Sequence, residues 1–250
     1  MHLTAFETMN RLFRADSERT VRIKKNVAAS FMLQFFNIAF GFAQIPLILR
    51  YIDSTQYGVW LTLSSLAGFL SVMDIGLGNG LRNRFAEATA KGNSELARIY
   101  VSTTYALIAL FMIAVLAIFL LIYPWVNWTK ALNAPSALGT DIKTLVLLVF
   151  LFFCFQIVLK LITTILTALQ RPALYNLQAT LTSGLNLVLI FVLIKTTNGN
   201  LLYFGIALAI SPVIILSLFS LIFYAGSLKS FARCPMRKCA SSFLKTIGCN

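Results

Sequence analysis

The chain has 250 residues, of which 58% are hydrophobic and 12% are charged, and its mean hydropathy is +0.81. A soluble domain carries about 25% charged residues, so this composition leaves too little polar surface to coat a soluble globule. It also excludes an intrinsically disordered chain, which needs low hydrophobicity. The excess of 21 Lys and Arg over 8 Asp and Glu is then typical of cytoplasmic loops beside a membrane, and not of nucleic-acid binding.

Six stretches are long enough to cross the hydrocarbon core of a bilayer, which takes about 20 residues of helix. They cover residues 27–49, 57–81, 101–123, 144–166, 176–194 and 201–225. Helix is the suitable conformation, because backbone polar groups in lipid must be satisfied internally and these runs lack the alternating polarity of barrel strands. The sequence therefore predicts an all-α membrane protein whose residues 27–225 form a six-transmembrane-helix bundle.

The placement of the basic residues predicts the orientation of the bundle. Sixteen of the 21 lie in a leader (1–26), in the loops after the second and fourth stretches, and in a tail (226–250), whereas four lie in loops on the opposite side. This asymmetry places both termini in the cytoplasm. Two interpretations of the leader stay open: an amphipathic helix lying on the inner leaflet, or a partly disordered basic tail.

Polar residues at helical spacing in the first and fourth stretches predict a water-filled cavity. Gln34, Asn37 and Gln44 share one face of the first stretch, and Gln156 and Lys160 share one face of the fourth. Lipid cannot hydrogen-bond an amide side chain, so these faces must meet protein or water. We expect them to line a common transport cavity.

Two ionisable residues, Asp74 and Lys160, lie within predicted spans at a similar depth. A charge at the bilayer centre costs at least about 2.5–3.5 kcal/mol. We predict that both face the cavity, together with Asn186 of the fifth stretch. Alternatives are that Lys160 snorkels to the interface, that Asp74 caps local backbone, and that Asn186 belongs to a packing seam.

Arg82 and Arg84 follow at the inner mouth of the second stretch. Guanidinium groups bind phosphate well, so the two arginines are candidates for capturing a phosphate group. The alternative is that they only set the topology.

Other patterns argue against an enzyme. Gly76, Gly78 and Gly80 lack the spacing and strand context of a nucleotide-binding loop. The single histidine, His2, excludes His-based catalysis and most transition-metal sites. Three of the four cysteines crowd the tail without the spacing of a zinc site. We therefore predict no catalytic residue, no metal and no cofactor.

The most specific part of the chain is residues 57–105, which contains YGVWLTLSS and then DIGLGNGLRNRFAEATAKGNSELARIYVSTTY. It resembles the polysaccharide-export flippases, the O-antigen and capsule repeat-unit transporters of the multidrug/oligosaccharidyl-lipid/polysaccharide exporter superfamily. A more general resemblance covers about residues 22–229. The residues that carry the specific resemblance are Tyr57, Gly58, Trp60, Asp74, Gly76, Gly78, Asn79, Arg82, Asn83, Glu87, Lys91, Gly92, Ala97, Arg98 and Tyr100.

The resemblance implies a fold of two similar helical bundles around a hydrophilic cavity, of which this chain is the N-terminal half. It implies that an undecaprenyl-diphosphate-linked oligosaccharide is moved across the bacterial inner membrane by alternating access, for the biosynthesis of surface polysaccharide such as the O-antigen of lipopolysaccharide or capsule. The cavity would then meet sugar hydroxyls, and Arg82 and Arg84 the diphosphate. Besides this substrate, the expected partners are membrane lipids.

The chain departs from the family by ending after six stretches, and the text from about residue 231 no longer resembles it. We therefore expect a truncated or frameshifted half, whose cavity would be completed by the missing second bundle or by self-association. Two further interpretations stay open. One is a drug/cation antiporter of the same superfamily, for which Asp74 would be the only deep acid, and the other is a non-transporting membrane fragment.

Overall fold

The computed structural model describes residues 3–72, 75–135, 139–169 and 172–225. These ranges contain eight α-helices and one 3-10 helix, and no strand occurs in them. In chain order the helices are α1 (Leu3–Tyr51), α2 (Ser54–Val72), α3 (Ile75–Ala90), α4 (Ser94–Ile122), the 3-10 helix (Tyr123–Trp125), α5 (Trp128–Ala131), α6 (Gly139–Ala168), α7 (Pro172–Thr196) and α8 (Leu201–Ala225).

Five helices are long and apolar enough to cross a membrane, which confirms the prediction of an all-helical, multi-pass membrane protein. Their candidate spans are Asn26–Tyr51, Ser94–Trp125, Asp141–Ala168, Pro172–Thr196 and Leu201–Phe223. They coincide with the first, third, fourth, fifth and sixth predicted stretches. The second stretch, 57–81, falls on α2 and α3, and neither helix is among the candidates found in the described ranges. The count of six spans therefore stays a prediction.

Helix α1 is 49 residues long and runs through both the predicted leader and the first predicted span. The backbone from Leu3 onward is thus helical without a break, although whether residues 1–26 lie on a membrane stays a prediction. Asp74 and the tail of residues 226–250, with its three cysteines, lie outside the described residues.

Helix α1 packs mainly against α7, and the two helices run in the same direction. Asn37 is bonded to Ser183 along the shared interface, and Tyr51 is bonded to Thr197 at its end. Because residue numbers rise together along both helices, the pair is parallel. In an alternating bundle, two spans run in the same direction when an odd number of other spans lies between them. A parallel α1 and α7 therefore require an odd number of crossings between them.

Helix α6 lies at the centre of the described fold and contacts α2, α3, α4, α5, α7 and α8. Most of its buried apolar side chains belong to two clusters. Leu145 packs in the first cluster with Val59 of α2, at the end of the bundle where Tyr51 lies. Leu161 packs in the second cluster with Phe85 of α3. We call these the Tyr51 end and the Phe85 end, and α2 and α3 contact opposite ends of α6.

Large apolar side chains cover the outer surface of the helices. Phe31, Phe35 and Phe42 of α1 expose 73%, 69% and 72% of their surface, and Trp125 after α4 exposes 89%. So much exposed apolar surface is incompatible with a free surface in water. It fits contact with lipid acyl chains, and Trp125 has the amphipathic ring that settles at a membrane interface.

A clamp at the Tyr51 end joins α1 to the turn between α7 and α8. The Tyr51 hydroxyl lies 2.6 Å from the Thr197 hydroxyl and accepts a hydrogen bond from the Asn200 N–H at 3.3 Å. Gly199 between them has φ +53°, and a Cβ there would lie 2.8 Å from the Tyr51 carbonyl oxygen. The close approach of the two backbones therefore requires glycine.

Replacing Gly199 should loosen this clamp. We expect Gly199→Ala to lower the free energy of unfolding by at least about 1–2 kcal/mol, because an L side chain is strained at this φ and would clash with backbone. The control is Gly58→Ala, since a Cβ at Gly58 meets nothing within 4 Å. Unfolding of the purified chain in mixed detergent micelles measures both. Equal stability of the two variants would show that the close approach of Gly199 to Tyr51 does not require glycine.

Candidate functional site

A groove of about 340 Å³ lies between α2, α6 and α8 in the described part of the chain. Helix α6 contributes residues three to four positions apart, which share one face of that helix. We call this cavity the Lys160 groove. It is lined by Trp60, Ser64, Gly68, Val149, Phe153, Gln156, Ile157, Lys160, Leu208, Ala209 and Pro212.

Lys160 is the one charged residue in the lining of this groove, and its side chain is partly buried. The amide of Gln156 lies one helical turn away on α6, and the Ser64 hydroxyl lies across the groove on α2. Within the described ranges the single ion pair joins Lys91 to Glu87, so no described carboxylate neutralises Lys160. An ammonium among apolar walls attracts an anion more strongly than the same group would in open water.

The polar residues of α1 meet those of α7 in a hydrogen-bonded seam. Lipid would leave these groups unpaired, so each stabilises the interface when a partner lies on the neighbouring helix. We call this interface the α1–α7 seam. Its bonds are Asn176 Nδ2 to Ser30 O (3.2 Å), Thr180 Oγ1 to Leu33 O (2.8 Å), Ser183 Oγ to Asn37 Oδ1 (2.5 Å) and Gln44 Nε2 to Ser183 O (2.9 Å).

The predicted cavity residues thus lie on several surfaces. Gln156 and Lys160 line the Lys160 groove, whose lining contains no member of the α1–α7 seam, whereas Asn37 and Gln44 belong to that seam. The single cavity that we expected to hold both sets stays a prediction.

Two other predicted residues occupy separate positions. Gln34 is exposed and lines a smaller groove of about 210 Å³ beside Asn176. Asn186 accepts a hydrogen bond from Ser211, a fully buried serine of α8 that directly precedes Pro212 of the Lys160 groove. Asn186 therefore joins α7 to α8 behind the groove wall. Asp74 lies outside the described residues.

Arg82 and Arg84 both lie exposed on α3, toward the Phe85 end. The Arg84 guanidinium lies 5.7 Å from the centre of the Tyr100 ring on α4, a cation–π distance that fixes its position without neutralising it. Neither arginine takes part in the single ion pair found among the described residues. Both guanidinium groups are therefore available to an anionic ligand.

Lys91 is engaged elsewhere, because its ammonium donates to Glu87 at 2.6 Å. The hydrogen bond from Lys91, and then its charge, hold the pKa of the Glu87 carboxyl below the ordinary value, and the same contact raises the pKa of Lys91. The pair is therefore lost at acid pH as the pH falls through the lowered pKa of Glu87, and at alkaline pH as it rises through the raised pKa of Lys91. At neutral pH Lys91 is thus already partnered, unlike Arg82 and Arg84.

The sequence analysis did not predict Trp60 as a site residue, although its spacing from Ser64 and Gly68 indicates that the three share one helix face. Trp60, Ser64 and Gly68 lie four residues apart and share a face of α2. Pro212 and Phe153 could not be predicted as groove residues, because an apolar residue in a spanning helix can face lipid or protein and its sequence does not show which. Among the described residues, no group of three or more His, Cys, Asp and Glu lies close enough to hold a metal ion.

No protein-family model, characterised protein or solved structure matches this chain. The family therefore remains a resemblance carried by residues 57–105.

A double-mutant cycle tests whether Asn37 belongs to the α1–α7 seam. Asn37→Ala and Ser183→Ala remove the two partners of one hydrogen bond, so we expect a coupling free energy of about 0.6–1.7 kcal/mol between them. Gln34→Ala paired with Ser183→Ala is the control, because Gln34 lies in another groove, and its coupling should be near zero. The readout is the free energy of unfolding in micelles. Coupling that is absent from both pairs would mean that Asn37 faces elsewhere.

Proposed function

We propose that the chain moves an undecaprenyl-diphosphate-linked oligosaccharide across the bacterial inner membrane, for O-antigen or capsule biosynthesis. The observation that carries the proposal is the Lys160 groove, in which an ammonium with no carboxylate partner among the described residues lies among apolar and a few uncharged polar side chains. A diphosphate matches the ammonium, and sugar hydroxyls match the Gln156 amide and the Ser64 hydroxyl. The resemblance of residues 57–105 to polysaccharide-export flippases supports the same substrate class.

The proposal includes a six-span topology with both termini in the cytoplasm. Helices α2 and α3 together form the second crossing, which is supported by their contacts at opposite ends of α6. The parallel arrangement of α1 and α7 supports an alternating order of crossings. The basic residues of α3 and α4 support a cytoplasmic location for the Phe85 end.

In this scheme, the diphosphate first meets Arg82 and Arg84 at the cytoplasmic end. Guanidinium groups bind phosphate oxygens through paired hydrogen bonds, and exposed arginines can accept a ligand without first breaking an ion pair. The diphosphate then moves to Lys160, where the low dielectric of the groove strengthens its attraction to the ammonium. Release on the other side follows when the groove opens toward the Tyr51 end.

The open side of the groove requires a cover during transport. A charged headgroup cannot cross while it is exposed to acyl chains, because the cost of a charge in hydrocarbon opposes it. We propose that a second bundle, or a second copy of this chain, supplies that cover.

A reconstituted transport assay tests the proposal. The full chain is placed in liposomes that contain a fluorescent polyprenyl-diphosphate oligosaccharide, and an impermeant quencher reports how fast the label of the inner leaflet becomes accessible. We expect Lys160→Gln to slow this movement about tenfold, a change equivalent to about 1.4 kcal/mol. The double variant Arg82→Gln and Arg84→Gln should slow it similarly. Lys195→Gln is the matched control, because Lys195 is exposed and lies over the Phe191 ring.

Three results would contradict the proposal. If Lys160→Gln moved the labelled oligosaccharide as fast as the unaltered chain, transport would not depend on the Lys160 groove. Movement of a cationic dye without movement of the diphosphate would favour a drug/cation antiporter. Movement of neither would favour a non-transporting membrane protein.

A further inference from the structure

The Lys160 groove is elongated, and its two ends differ in chemistry. Val149 and Lys160 both line it and lie eleven residues apart on α6, which corresponds to about 16 Å of helix. Lys160 lies toward the Phe85 end. Trp60 lies toward the Tyr51 end, where its ring approaches the position that a Cβ on Gly205 would occupy, beside Leu145. A cation and an aromatic ring therefore lie toward opposite ends of the groove.

The Trp60 ring is held in place from behind. Its edge meets the Phe204 ring with the centroids 5.5 Å apart and the planes at 76°. Gly205 leaves room for it, since a Cβ at that position would lie 3.1 Å from Trp60 Cζ3. Phe204 is fully buried, whereas Trp60 is partly exposed and lines the groove. The packing thus fixes a large flat ring with part of its surface open to a ligand.

An indole ring at this position suits a flat ligand group with an apolar face. Aromatic rings that line binding sites supply large contact areas, and a few polar groups beside them set the orientation of the ligand. The C–H face of a pyranose ring meets this requirement, and its hydroxyls suit the Ser64 hydroxyl and the Gln156 amide that lie between Trp60 and Lys160. We infer that Trp60 is a stacking subsite for a sugar ring of an anionic glycan whose charged group lies at Lys160.

This inference rests on the proposed function for its choice of a sugar, and it adds a direction and a length. The anionic end lies toward the Phe85 end and the stacked ring toward the Tyr51 end. The stretch of α6 that lines the groove is about 16 Å long, which exceeds one sugar ring and suits a short oligosaccharide. Trp60 is thus assigned to recognition of the glycan, and Lys160 to recognition of the charge.

Binding to the full chain in nanodiscs tests this assignment with three probes: inorganic pyrophosphate, glucose 1-phosphate and maltotriose 1-phosphate. Trp60→Leu should weaken maltotriose 1-phosphate about tenfold and leave pyrophosphate unchanged, because only the longer glycan reaches the indole. Lys160→Gln should weaken all three probes. Trp60→Phe keeps an aromatic ring and should restore most of the affinity for maltotriose 1-phosphate. Trp125→Leu is the matched control, since Trp125 lies outside the groove lining and is 89% exposed.

Two results would overturn the inference. In one, maltotriose 1-phosphate binds no more tightly than glucose 1-phosphate to the unaltered chain. In the other, Trp60→Leu weakens maltotriose 1-phosphate and pyrophosphate equally, which would indicate a damaged groove and no separate sugar subsite. The transport assay keeps this failure apart from that of the proposed function. If the chain transports the lipid-linked oligosaccharide but its binding of maltotriose 1-phosphate does not depend on Trp60, only the inference about Trp60 is wrong. If binding depends on Trp60 but no transport occurs, only the proposed transport function is wrong.

Discussion

The structure depends on one constraint: a polar group in hydrocarbon must find its partner within the protein or in enclosed water. This constraint explains why α1, which exposes large apolar side chains such as Phe31 and Phe42, packs against α7 through amide and hydroxyl side chains. Asn37 and Gln44 are paired there, and Asn186 is paired with Ser211. Lys160 has no such partner among the described residues, and its groove leaves room for a ligand or water beside the ammonium.

The length and apolar composition of the spans predicted most of the fold. Five of the predicted stretches coincide with candidate spans. A run of about 20 apolar residues forms a helix in lipid, because its backbone groups must be hydrogen-bonded within the segment. The stretch 57–81 was harder, because its glycines and serines do not specify where α2 ends and α3 begins. The sequence also identified Asn37 and Lys160 as residues that avoid lipid, but their partners depend on helices far along the chain. Ser183, which bonds Asn37, lies 146 residues away.

The candidate site combines two kinds of positive charge, at the surface and within the bundle. Arg82 and Arg84 are exposed, so water and salt weaken their attraction for an anion and allow rapid exchange. Lys160 is partly buried in a largely apolar groove, so its attraction for an anion is stronger. Trp60 could not be placed in this site from its sequence alone, because its role follows from the neighbouring residues Phe204 and Gly205 of α8.

The central claim is that Lys160 faces water and not lipid, and cysteine accessibility tests it most directly. In a chain whose four cysteines are replaced by Ala, Lys160→Cys is compared with Phe155→Cys, a position on the same helix that exposes 53% of its surface. In liposomes, a charged, impermeant thiol reagent should label position 160 and spare position 155. Labelling of position 155 with no labelling of position 160 would contradict the account.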